Sequence, residues 1–193
     1  MMNWQKIKIQ LAPYVDVLRF VVVLLLGNVL WKWIVRGDEA GNYITCLGYD
    51  VTYFFSVVSA HVAKMSYFLV HVVEESVQLV YGHIIRFPNE SSVSVVWGCS
   101  AVKQGTLFTL IMLFARGKWL HKLWFIPLGW VAVYAFNILR IAIISLLIQH
   151  HPDWFDFLHS YLFKYLFYGM IFALWVWWIE KINPSLTTSQ EQK

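Results

Sequence analysis

Charge is what this chain has least of. Only 13% of its 193 residues are Asp, Glu, Lys or Arg, about half of the roughly 25% found in an ordinary soluble domain. That scarcity, with 59% hydrophobic residues and a mean hydropathy of +0.58, excludes a cytosolic globular domain, a disordered chain and a nucleic-acid-binding module. Acids are scarcer than bases, 11 against 15, for a net charge of +4. In a membrane protein such an excess collects in cytoplasmic loops. Cysteine is limited to Cys46 and Cys99, too few for a disulfide framework and without the CxxC spacing of a structural zinc site. Walker, HExxH, GxSxG and CxxCH patterns are absent, as are internal repeats.

Long apolar runs are present instead. A span needs about 20 mostly apolar residues. Four stretches meet or approach that length: Pro13–Val35, Cys99–Ala115, Trp124–Ile148 and Tyr161–Ile179. The first follows a basic start, MMNWQKIKIQ, and lacks a small-residue cleavage site, so it reads as an uncleaved signal-anchor helix. Arg19 and Lys32 flank its centre, where long cationic side chains snorkel to the two surfaces. The last span ends in Trp175, Trp177 and Trp178, as an interfacial aromatic belt does.

Val51–Tyr81 is helical by pattern but amphipathic, with His61, Lys64, His71, Glu75 and Gln78 on one stripe. It lies on the membrane surface, turns its stripe into a bundle, or spans. His83–Val96 shortens its period around PNESS and reads as a β-hairpin outside the hydrocarbon. The expected fold is an all-α integral membrane bundle of four to five spans, with an interfacial or re-entrant helix and a small extracytoplasmic hairpin-like segment. Residues 1–182 form one membrane-embedded domain, and 183–193 a polar tail.

The loop Arg116–Lys122, RGKWLHK, has three cations and no acid, and is cytoplasmic by the positive-inside rule; Gln149–Leu158 has two acids and no Lys or Arg, and faces out. Lys6, Lys8 and Arg19 favour an inside N-terminus. Val51–Tyr81 then does not cross; if it does, the N-terminus is outside. This orientation brings Cys99, at the outer start of one span, near His159, at the outer start of another. Arg140 stands nine residues before Gln149, roughly 13 Å below the outer helix end at about 1.5 Å per residue. Thiol, guanidinium and imidazole thus converge near the outer leaflet.

A reactive cysteine needs a lowered pKa. For Cys99 the expected sources are a helix N-terminus, Lys103 one turn on, and Arg140 and His159 across the fold. The bland alternative is a small buried apolar residue. An Arg inside a span costs about 2.5–3.5 kcal/mol on translocon scales, so Arg140 is either held by function or paired with an acid such as Glu74. Asn137, three residues earlier on its helix, is placed to orient it. His150, His151 and Asp153 make only a weak metal pattern, and no cofactor or metal is expected.

Trp97-Gly98-Cys99-Ser100-Ala101, then Phe136-Asn137-Ile138-Leu139-Arg140-Ile141, then His159 resemble the exosortase/archaeosortase family, over about 93–181. The likeness is to the compact exosortase-related proteins of Gram-negative bacteria. In that family a Cys-Ser-Ala-like motif opens one span, Asn-x-x-Arg lies late in the next and a His starts another. The resemblance implies a multi-pass cysteine transpeptidase of the bacterial inner membrane with its active site facing the periplasm. Cys99 is then the nucleophile, His159 the acid/base and Arg140 the charge stabiliser, supported by Asn137, Ser100 and Lys103. The implied partners are secreted proteins bearing a C-terminal motif, a transmembrane helix and a basic cluster, together with membrane lipid and no nucleic acid. The hairpin-like 83–96 segment is a place where an extended sorting motif would add as a strand. The competing reading is a non-enzymatic membrane transporter or scaffold built on the polar stripe; a third, metal or haem handling, rests on histidine count alone.

Overall fold

The computed structural model describes residues 4–38 and 42–182, with side chains described from Tyr14 onward. The polar tail at 183–193 and the side chains of Lys6 and Lys8 lie outside the described residues. Five helices carry the fold: α1 (Trp4–Ile34), α2 (Thr52–Val73), α3 (Val102–Phe114), α4 (Trp119–Ile148) and α5 (Phe163–Trp177). Helical turns extend the last of these from Pro152 to Ile182. Four stretches are long and apolar enough to cross a membrane: Tyr14–Ile34, Thr52–Val73, Trp119–Ile148 and Pro152–Ile182.

Two three-stranded antiparallel sheets interrupt the helices. The first joins β1 (Val35–Gly37), β2 (Ile44–Cys46) and β3 (Tyr49–Asp50); the second joins β4 (Gln78–Val80), β5 (Ile84–Arg86) and β6 (Ser92–Ser94). The second sheet contains the expected hairpin and extends it by a strand. The first was not foreseen. It forms because Leu47 and Gly48, both at positive φ (52° and 89°), close a two-residue turn between Cys46 and Tyr49, the backbone that two-residue hairpins need.

Contacts set the course of each helix. Asp16 of α1 accepts from Arg116 Nε at 3.2 Å, so the N-terminal half of α1 lies at the basic-loop end of the bundle. The other end of α1 passes into the first sheet, whose Val35 and Ile44 pack with Phe55 of α2 and with Trp97. From there α2 climbs beside the second half of α4. His61 Nδ1 meets the Tyr134 hydroxyl at 2.5 Å, and the Ser66 hydroxyl donates to Ile138 C=O at 3.4 Å. Glu74, just past the helix, reaches Gln149. Both ends of α2 therefore sit in the half of the bundle away from the basic loop. By length and composition α2 is nevertheless long and apolar enough to cross a membrane. It buries Phe55, Ser59, Val62, Ala63, Ser66 and Val70, not the polar stripe. That stripe is broken in any case, because the helix stops at Val73 and Gln78 belongs to β4.

The spanning core is packed by notches. A Cβ on Gly129 would fall 2.0 Å from the Phe108 ring, and one on Gly105 would fall 2.6 Å from Trp130. Each ring thus lies on the facing helix's backbone, the small-residue contact that replaces hydrophobic driving force in lipid. Lys122 was counted as a loop cation. It is buried in the first turn of α4, and its ammonium donates to Leu113 C=O (3.0 Å) and Ala115 C=O (2.7 Å), closing the end of α3.

Candidate active site

The cysteine turn is built locally. Trp97–Cys99 form one turn of 3₁₀ helix, in which the Cys99 N–H donates to Val96 C=O at 2.8 Å. Ala101 follows in the left-handed region at φ 64°, a conformation that costs an L-residue roughly 1–2 kcal/mol. Only then does α3 begin. The Ser100 hydroxyl accepts from Val102 N–H at 3.4 Å, supplying a partner for one free N–H of the first turn. This corrects one expectation. Cys99 does not open the helix. It stands three residues ahead of it, beyond a reversed residue, and the helix-end field falls off within the first turn.

The thiol is affected accordingly. Burial pushes the Cys99 pKa up, while Arg140 and the Val96 hydrogen bond pull it down; burial is the larger effect. The net direction is upward, opposite to the lowering that a reactive cysteine was expected to show.

Asn137 has a different task from the one its spacing suggested. Its Nδ2 donates to the Cys99 carbonyl at 2.7 Å, so it pins the cysteine turn to α4 and does not orient Arg140. Arg140 is itself 6% exposed. Its Nη2 makes a long contact to His159 C=O at 3.5 Å, its guanidinium lies 5.9 Å from the Phe167 ring centre, and its Nε has no hydrogen-bond partner. The acid suggested as its partner, Glu74, accepts from the Ser76 hydroxyl instead. Among the described residues no carboxylate pairs with Arg140. Leaving a buried charge uncompensated costs several kcal/mol, and the ionisable group that Arg140 acts on across the cavity is Cys99.

His159 lies on a π-helical turn, Phe157–Leu162, and stacks on Phe155 at 5.2 Å and 9°. A π turn inserts one residue into the helical register and often marks a functional site. Its ring nitrogens make no hydrogen bond among the described residues.

Cys99, Arg140 and His159 all line one cavity of about 680 Å³, as their membrane positions predicted. Lys103 and Ser100 border it too. Sequence reasoning missed three further cations on the same wall: Lys32, taken as a snorkelling flank, Arg36 and Lys164. Lys32 and Lys164 approach Lys103 from α1 and α5. Their sequence signal was weak, because a cation near the end of an apolar run looks the same whether it reaches water or a cavity. His150, His151 and Asp153 do not join the cavity, and His151 stacks on Trp154. Among the described residues no cluster of three or more His, Cys, Asp or Glu side chains is placed to hold a metal.

The fold and cavity define a polytopic helical protein with a thiol, a guanidinium and an imidazole around one cavity. The model of the transmembrane exosortase family matches residues 15–178, and the chain belongs to that family. It is therefore, in general terms, a membrane protein-sorting transpeptidase. Neither the curated proteins nor the solved structures give a match to the chain.

Proposed function

We propose that this chain is a cysteine transpeptidase that cleaves the C-terminal sorting signals of secreted proteins on the extracytoplasmic side of the inner membrane. It passes the acyl group to an acceptor through a thioester. The observation that carries this reading is the meeting of Cys99, Arg140 and His159, from three separate elements, on one cavity.

The chemistry follows from the surroundings. Because burial raises the Cys99 pKa, attack needs a base, and His159 is the group for it. The imidazole takes the thiol proton, and the sulfur adds to the scissile carbonyl. Arg140 holds the negative charge, first on sulfur and then on the oxyanion. Arginine stays protonated and cannot serve as the base. His159 returns its proton to the leaving amine as the C–N bond breaks. The acceptor nucleophile then gives a proton to His159, attacks the thioester and releases the thiol. Asn137 acts on this sequence indirectly, by holding the cysteine turn. Arg116 and Lys118 lie at the end of the bundle opposite the cavity, which supports an outward-facing site under the positive-inside rule. The substrate is a protein with a C-terminal motif, a membrane-spanning helix and a basic cluster, and the helix approaches through lipid.

The test compares Cys99→Ala with Cys46→Ala in the native membrane. In the first, a tailed precursor accumulates uncleaved while the variant inserts at normal level; in the second, processing is unchanged. Wild-type enzyme also yields a hydroxylamine-labile adduct on Cys99. Normal processing by Cys99→Ala would end the reading.

A further inference from the structure

The first sheet leaves one edge open along the Cys99 cavity. We propose that this edge, strand β1, is the docking strand for the extended stretch of substrate that carries the scissile bond. The proposal rests on the transpeptidase reading and adds where and how the substrate chain is held.

In the strand order β1-β2-β3, β1 pairs on one side only. Its register is Val35 opposite Cys46, Arg36 opposite Thr45 and Gly37 opposite Ile44. Two flanking bonds fix which backbone groups face β2. Leu47 N–H donates to Ile34 C=O at 3.0 Å, and Asp38 N–H donates to Tyr43 C=O at 3.2 Å. Hydrogen-bonded and non-bonded pairs alternate along an antiparallel ladder. Arg36 therefore spends its groups on β2, while the carbonyl of Val35 and the N–H and carbonyl of Gly37 point to the other side. Among the described residues no strand pairs with that side.

The cavity runs along this edge. Val35, Arg36 and Gly37 all line it, and no residue of β2 or β3 does. Successive strand residues point to opposite faces, so a cavity that meets three in a row borders the edge and not a face. Trp97 fixes the distance from edge to nucleophile. Its indole N–H donates to Asp38 C=O at 2.8 Å, its ring lies 3.3 Å from where a Cβ on Gly37 would stand, and it is two residues from Cys99.

The occupant is an extended peptide, because the free groups are a strand's own complement. Gln104, on the same cavity, also has a buried side-chain carbonyl oxygen without a partner, an acceptor suited to a peptide N–H. Five cations and no Asp or Glu line the cavity, so the entering segment is neutral or acidic; a basic one is repelled. The second sheet, expected to do this work, is displaced from it. Of the 83–96 segment only Val96 reaches the Cys99 cavity, while His83 and Val95 line a separate one of about 440 Å³ against α2.

The probe is a synthetic peptide spanning the cleavage point of the precursor that accumulates with Cys99→Ala. It is scanned by single N-methylation against wild-type protein in nanodiscs. Docking on β1 predicts a period-two profile: methylation at alternate residues lowers cleavage about tenfold, the size of one lost main-chain hydrogen bond, and the residues between tolerate it. Amide exchange at Gly37 slows when the unmodified peptide binds Cys99→Ala protein, while exchange at Tyr49 and Asp50 on the far edge is unchanged. A flat profile with the peptide still cleaved overturns docking on this strand and leaves the transpeptidase intact. Protection on the second sheet instead of at Gly37 overturns it as well. If no precursor accumulates in Cys99→Ala cells, the enzyme reading fails and this proposal falls with it.

Discussion

From Trp119 to Leu139, α4 exposes an apolar side chain at almost every turn, Trp124, Leu128 and Val131 among them; from Arg140 to Ile148 no side chain is exposed. Both stretches are apolar, and no break in the helix separates them. A helix of 30 residues is about 45 Å long, well beyond a hydrocarbon core of about 30 Å. The surplus is covered by protein, namely α2, the second sheet and the turns that lead into α5. Hydropathy reads lipid and protein interior alike. Arg140 is the first residue of the covered stretch, so the costly cation stands where protein contacts replace lipid and where a cavity can hold its counter-charge.

Six substitutions would break or sharpen this contrast. The largest effect is expected for Arg140→Gln. Precursor processing should fall about 10²- to 10³-fold, as when a single oxyanion donor is lost, with the chain inserted at normal level. The same variant should move the pH midpoint of Cys99 alkylation upward, because burial still raises the thiol pKa and the guanidinium that opposed it is gone. An unmoved midpoint would show that the two groups are not coupled.

Next comes a matched pair on one helix. Ile144 is 3% exposed and Leu139 48%. Ile144→Ala should cost about 2–4 kcal/mol and Leu139→Ala under about 0.5 kcal/mol, read from unfolding midpoints in one detergent. Equal losses would place both stretches in the same surroundings. In the lipid-facing stretch, Gly129→Ala drives a methyl into the Phe108 ring and should cost about 1–3 kcal/mol. Gly169→Ala, with open space around its Cβ position, should be silent in the same assay. The smallest effect on catalysis is expected for Asn137→Ala. Losing one hydrogen bond to the Cys99 carbonyl should lower kcat about tenfold and leave KM nearly unchanged; a change confined to KM would mean that Asn137 meets substrate directly.

Much of this was readable from residues. Long apolar runs have few alternatives to helix in lipid, which is why the first span appears where expected, at Tyr14–Ile34, and the third and fourth appear extended by some turns; the expected second span, Cys99–Ala115, shrinks to the 13-residue helix Val102–Phe114, below the length of a span. Cys99, Arg140 and His159 were expected together from span length and loop charge, and they do line one cavity. Other features left no local trace. α2 has the composition of a span, and only its packing partners, Ile141 and Ala142, show that it runs beside the covered stretch. The first sheet is made of strands of two or three residues, too short for an alternating pattern to register. The direction of the Asn137 amide depended on the turn at Ala101, which no residue type announces.

The chain's order of apolar length and charge was enough to decide that it is a helical membrane protein and to single out three reactive groups that line one cavity, because both start from the one-dimensional cost of placing each residue in lipid or water. The tertiary structure alone decided that burial raises the thiol pKa, that Asn137 serves the cysteine turn, and that β1 borders the cavity. Each of these depends on which atoms from distant stretches exclude water together, and burial of that kind is a property of packing, with no counterpart in local sequence.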